Sequence, residues 1–88
     1  MIVEALDKEW NVNDCTYKQR RELHALNAKV WWQGKQDVSA YYDLLEKVSD
    51  IAGLDENDFE GMEMIDIDVV LQSILFEFLG LSKKATGG

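Results

Sequence analysis

Length, composition and charge limit what this chain can be. It has 88 residues, 47% of them hydrophobic and 30% charged, and a formal net charge of −8. A chain of this size holds one small core, and few active-site clefts fit inside such a domain. No run of about 18 uncharged apolar residues is present, and acids interrupt the first apolar stretch, so we expect neither a membrane span nor a signal peptide. Cys15 is the only cysteine and His24 the only histidine, which excludes an internal disulfide and leaves a structural zinc site without ligands.

The first third of the chain contains an irregular arm followed by a helix. Residues 1–10 are apolar without a clear period and predict either a short strand or an extended arm. Residues 11–14 are asparagine- and aspartate-rich and predict a turn. Thr16 and Gln19 have the spacing of a capping box, so we expect the first helix to span residues 17–32.

The middle of the chain contains a second helix and an acidic segment. Asp37 is a suitable N-cap and Gly53 a suitable terminating residue, which predicts a helix over residues 37–52. Residues 54–63 are mostly acidic and predict a loop with one helical turn.

The last helix is predicted over residues 66–79, with Asp66 as its N-cap and Gly80 at its end. The fold class is therefore mainly all-α: a three-helix antiparallel bundle with an N-terminal apolar arm or strand and an acidic loop before the last helix. We expect one domain over residues 1–82 and a flexible tail over 83–88.

The residue pattern does not predict an enzyme. His24 is expected at the surface of the first helix, too far along it from Cys15 for a catalytic pair, and Cys15 is expected to pack as a small hydrophobic residue. The acids of residues 55–68 do not have EF-hand spacing and fit a solvated loop. No glycine-rich phosphate motif occurs. We therefore expect no catalytic residues, no cofactor and no bound metal.

Charge is divided unevenly along the chain. Residues 18–35 contain five bases and one acid, a net charge of +4, whereas residues 36–68 contain eleven acids and one base, a net charge of −10. The two segments either pair within the molecule or steer external partners. So acidic a chain is poorly suited to bind DNA. The basic residues that we expect at the surface are Lys18, Arg20, Arg21 and Lys29.

The apolar content exceeds what three short helices can bury. Several apolar residues of the last helix fall outside its main apolar stripe, and two pairs of adjacent aromatic residues cannot both point into the core. Such residues are either half-buried at helix ends or form a surface for an oligomer or another partner. The predicted partner-binding residues are Trp31, Trp32, Tyr41, Tyr42, Val69, Phe76 and Leu79.

Three segments of the sequence resemble the tail assembly chaperones of tailed bacteriophages. They are WNVNDCTYKQRRELHALNAKVWW, DVSAYYDLLEKVSDIAGL and MIDIDVVLQSILFEFLGLSK, which together cover most of the chain. The most recognisable part is Thr16-Tyr17 followed by residues 20–24 and 26–29. Cys15 departs from the pattern, because a larger aliphatic residue is expected there.

The resemblance implies a small, self-associating helical protein of the host bacterial cytoplasm. Such a protein coats the hydrophobic tape-measure protein, keeps it soluble and recruits tail-tube protein without entering the virion. Two alternatives remain open: a structural baseplate or connector subunit of a phage tail, and an acidic inhibitor of a host protein that mimics nucleic acid.

Overall fold

The computed structural model describes residues 1–31 and 35–81, and within them the chain is mostly helical with one small sheet. The prediction of a mainly helical domain is confirmed. The regular elements are strands β1 (Ile2–Ala5) and β2 (Lys8–Asn11), helices α1 (Tyr17–Val30), α2 (Val38–Ala52) and α3 (Met64–Leu79), and a 3₁₀ helix over Glu56–Phe59. The tail predicted over 83–88 lies outside the described residues.

The N-terminal arm is a β-hairpin. β1 and β2 pair antiparallel, with Val3 opposite Trp10. Leu6 and Asp7 form the connection and both have positive φ, 57° and 58°, as a tight hairpin turn of this hand requires. The prediction of a turn over 11–14 is wrong, because Asn11 is the last residue of β2 and residues 12–16 form an irregular connection to α1.

Helix α1 begins where its capping box predicts. The Gln19 amide donates to Thr16 Oγ1 at 3.1 Å, and the Thr16 amide donates to Gln19 Oε1 at 2.8 Å. The helix ends at Val30, two residues before the predicted end, and Trp31 is its C-cap.

Helix α2 is bounded by the two predicted residues. Asp37 Oδ1 accepts a hydrogen bond from the Ala40 amide at 3.0 Å, and Gly53 terminates the helix in the left-handed region at φ +81°. The acidic segment that follows contains its single predicted helical turn, Glu56–Phe59.

Helix α3 begins at Met64, two residues earlier than predicted. Glu63 is its N-cap and makes no side-chain capping bond, so the prediction that Asp66 caps the helix is wrong. Asp66 lies in the first turn, where the helix dipole favours a carboxylate, and this preference produces the same sequence signal as a cap. Gly80 ends the helix at φ +74°.

The core lies between the hairpin and the three helices. The largest fully buried side chains come from all three helices and include Leu23, Leu44 and Phe78. The hairpin adds Val3 and Trp10, and it packs against α3. Among the described residues no polar or charged side chain is buried. The fold is therefore stabilised by apolar packing, and its outer helix faces are left for other contacts.

Candidate partner-binding surface

A small cleft opens where the three helices meet. It has a volume of about 160 Å³. Trp31 at the end of α1 and Phe76 on α3 both line it, and their side chains remain 54% and 47% exposed. The cleft residues are Asn27, Trp31, Tyr41, Leu44, Gln72, Leu75 and Phe76.

Two tyrosines connect the cleft to the outer faces of α2 and α3. Gln72 Nε2 donates a hydrogen bond to the Tyr41 hydroxyl. The Tyr41 and Tyr42 rings lie edge to face with centroids 5.2 Å apart. The Tyr42 hydroxyl donates to Asp68 Oδ2 at 3.2 Å. These contacts link α2 to α3 beside the cleft, and the bond from Gln72 orients the Tyr41 ring in the cleft wall.

The bond between Tyr42 and Asp68 changes the acidity of the phenol. The hydrogen bond to the Asp68 carboxylate raises the pKa of Tyr42, and the negative charge of the same carboxylate raises it further. Both effects favour the protonated hydroxyl, which is the form that can donate this bond.

Two exposed apolar residues of the cleft, Trp31 and Phe76, and two exposed apolar residues outside its lining, Tyr42 and Val69, together form what we call the apolar surface. Tyr42 is 44% exposed and Val69 is 38% exposed. Val69 lies two turns before Phe76 on α3, so the two share one side of that helix. Ile65 extends the same side by one more turn and is also exposed. Contiguous exposed apolar residues of this kind are typical of interaction sites.

The predicted partner-binding residues divide into four groups. Trp31, Tyr42, Val69 and Phe76 are exposed as expected, and Tyr41 is half-buried in the cleft wall. The prediction for Leu79 is wrong, because its side chain is only 3% exposed and belongs to the core. The last turn of α3 lies against the start of α1, where Arg20 Nη2 donates to the Leu79 carbonyl at 3.0 Å. Trp32 lies outside the described residues.

Sequence reasoning missed four residues of the cleft: Asn27, Leu44, Gln72 and Leu75. Leu44 and Leu75 read as ordinary core residues. Gln72 carried a usable signal, because it is the only amide on α3, whose other residues apart from Ser73 are apolar or acidic, and it lies one turn before Phe76.

The basic residues of α1 lie at the surface, as predicted. Lys18, Arg20, Arg21 and Lys29 are all exposed. Within residues 1–31 and 35–81 the single ion pair joins Glu22 to Lys47 of α2 at 3.2 Å. The described bases of α1 therefore make no ion pair with the acidic segment. Arg20 is bonded to the Leu79 carbonyl, whereas Lys18, Arg21 and Lys29 are exposed to solvent.

The residues considered for chemistry are dispersed. Cys15 is half-buried against the core, with its Sγ 3.9 Å from the Phe78 carbonyl oxygen. Desolvation raises the pKa of the Cys15 thiol, and the charge of Asp14 adds to the effect. His24 is exposed on α1. In the part of the chain that the structure describes, no three acidic, histidine or cysteine residues form a group that could hold a metal ion.

Comparisons with protein-family models, with curated proteins and with solved structures gave no significant match to this chain. Over the described ranges, every helix is too short or too polar to cross a lipid bilayer.

Proposed function

We propose that this protein is a tail assembly chaperone of a tailed bacteriophage and acts in the host bacterial cytoplasm. In this role it binds apolar helical segments of the tape-measure protein, keeps that protein soluble and helps to recruit tail-tube protein. One observation carries the proposal: the cleft, whose rim is formed by the half-exposed aromatic rings of Trp31 and Phe76.

The size of the cleft favours a protein partner over a small molecule. Small-molecule pockets usually measure about 300–1,000 Å³. A cleft of about 160 Å³ suits one large apolar side chain presented by another chain. Helices bind such grooves through side chains spaced three and four residues apart. The exposed apolar residues of α3 offer further contacts at the same spacing.

The rest of the molecule is consistent with a chaperone. A net charge of −8 opposes aggregation of a complex that carries apolar surface. We further propose that the protein forms homo-oligomers, so that several copies cover one long client.

The helix arrangement that we propose is a bundle in which α1 runs antiparallel to α2. The Asp37 amide donates to the Val30 carbonyl at 2.8 Å, and the Asn13 amide donates to the Ala52 carbonyl at 3.0 Å. These bonds join the end of α1 to the start of α2 and the start of α1 to the end of α2. Helix α3 does not follow this end-to-start pattern with α2. The contact between Tyr42 and Asp68 joins the N-terminal half of α2 to the N-terminal half of α3.

Co-expression with the tape-measure protein encoded by the same phage tests this proposal. We expect the wild-type protein to increase the soluble fraction of the tape-measure protein. A variant with Trp31→Ser and Phe76→Ser should lose this effect, because it lacks both rings of the rim. Tyr17→Ser is the matched control, since Tyr17 is 79% exposed at the opposite end of α1. An unchanged soluble fraction with wild-type protein, or full activity of the double variant, contradicts the proposal.

A further inference from the structure

Helices α2 and α3 carry three of the four residues of the apolar surface, and nearly all their charges have one sign. Along α2 and α3, every charged side chain except Lys47 is a carboxylate. Lys47 lies beside α1, where its ammonium group forms an ion pair with Glu22. The acids of the two helices are Asp43, Glu46, Asp50, Asp66, Asp68 and Glu77.

Several of these carboxylates lie next to the exposed apolar side chains. Asp43 follows Tyr42 directly, and Glu46 lies one turn further along the same side of α2; both are exposed. On α3, Asp68 precedes Val69 and accepts the Tyr42 hydrogen bond. A partner that covers the apolar surface therefore brings its own flanking residues close to carboxylates.

We propose that the segment bound here is an amphipathic helix whose apolar residues are flanked by lysine or arginine. This inference rests on the proposed function and specifies the chemistry of the client. Opposite charges around an apolar contact accelerate association and select against acidic partners. A client helix flanked by acids meets repulsion at the same positions.

The middle of α1 in a second copy of this chain is a poorer occupant. Most exposed bases that the structure describes are on α1, where the exposed apolar side chains between Arg21 and Lys29 are Ala25 and Ala28. An alanine cannot fill a cleft that accommodates a large side chain. The stretch of α1 between Arg21 and Lys29 thus satisfies the charge requirement and not the apolar one.

Three synthetic peptides test the inference. Each is an amphipathic helix of about 20 residues with the same leucine and phenylalanine face. The positions flanking that face are lysine in the first peptide, glutamine in the second and glutamate in the third. We expect the lysine peptide to bind about tenfold more tightly than the glutamine peptide at low salt, and the glutamate peptide to bind least. Raising NaCl from about 50 to about 500 mM should remove most of the difference.

Variants of the protein locate the effect. Asp43→Asn with Glu46→Gln should weaken binding of the lysine peptide severalfold and leave the glutamine peptide unchanged. Glu4→Gln with Glu9→Gln is the matched control, because these exposed acids face each other across the hairpin and the net charge changes equally. The control should bind all three peptides as the wild type does.

The outcomes separate this inference from the proposed function. Equal affinity for the three peptides, abolished by Phe76→Ser, overturns the charge requirement and leaves the apolar surface as a client site. If none of the three peptides binds, both the charge requirement and the proposed function are contradicted. The double variant Lys18→Gln with Arg21→Gln tests whether a second copy occupies the surface. If this variant is monomeric in light scattering where the wild type is oligomeric, and if it binds the peptides only in that monomeric form, a second copy occupies the surface and the inference is wrong.

Discussion

Neighbouring residues of α3 have opposite roles, and truncating them should separate stability from binding. Leu79 is buried, so Leu79→Ala should lower the free energy of unfolding by about 2–5 kcal/mol. Phe76 is half exposed, so Phe76→Ala should change stability by less than about 1 kcal/mol and weaken client binding instead. Urea denaturation measures the first quantity and peptide titration the second. Equal losses of stability would contradict the assignment of Phe76 to the apolar surface.

The phenol of Tyr42 gives a spectroscopic test of the contact between α2 and α3. Because Asp68 raises the pKa of Tyr42 above the ordinary value for a tyrosine, one tyrosine should ionise late when ultraviolet absorbance is followed with pH. The raised pKa means that this contact stabilises the fold below about pH 10 and stops doing so as the phenol ionises. Asp68→Asn should lower this pKa, and Tyr42→Phe should remove the late step. Retention of the late step in Tyr42→Phe would show that another group produces it.

The start of helix α1 depends on the side-chain cap that Thr16 provides. Thr16→Ala removes the hydroxyl that accepts the Gln19 amide, so we expect stability to fall by about 1 kcal/mol. Thr16→Ser keeps the hydroxyl and should retain most of the stability. Chemical denaturation of the two variants checks this, and equal midpoints would rule out a contribution from the cap.

The same caps explain which elements could be predicted from the sequence. The start of α1 and both ends of α2 follow from Thr16, Asp37 and Gly53, whose side chains or backbone angles act locally. The start of α3 was misplaced, because an acid in a first turn resembles a capping acid. The hairpin stayed undecided, because Leu6 and Asp7 adopt positive φ without the glycine that normally signals such a turn.

The candidate site could be predicted only in part, and the reason is geometric. Excess apolar residues identified Trp31, Tyr42, Val69 and Phe76, since a side chain outside a buried stripe is exposed unless another element covers it. The same reasoning gave a wrong result for Leu79, whose side chain is buried because the last turn of α3 lies against the start of α1. The cleft itself depends on where three helices meet, and no periodicity within one helix contains that information.

The net charge and the exposed apolar residues together predict how the whole protein behaves in solution. A net charge of −8 opposes aggregation, acids accompany the apolar surface on α2 and α3, and most of the described bases lie on α1. Light scattering should therefore detect homo-oligomers that remain in solution at neutral pH and that precipitate near the sequence pI of about 4.4, where net charge vanishes. A strict monomer at all concentrations would contradict the self-association in this account.

Site-specific photo-crosslinking can determine whether the proposed contact between the apolar surface and the tape-measure protein forms in cells. The photoreactive residue p-benzoylphenylalanine is introduced in place of Phe76 and, as a control, in place of Tyr17, in cells that also produce the tape-measure protein. We predict that irradiation crosslinks position 76 to the tape-measure protein, as identified by mass spectrometry, and that position 17 gives little product. Equal crosslinking from both positions, or none from position 76 while the two proteins co-purify, would contradict the claim.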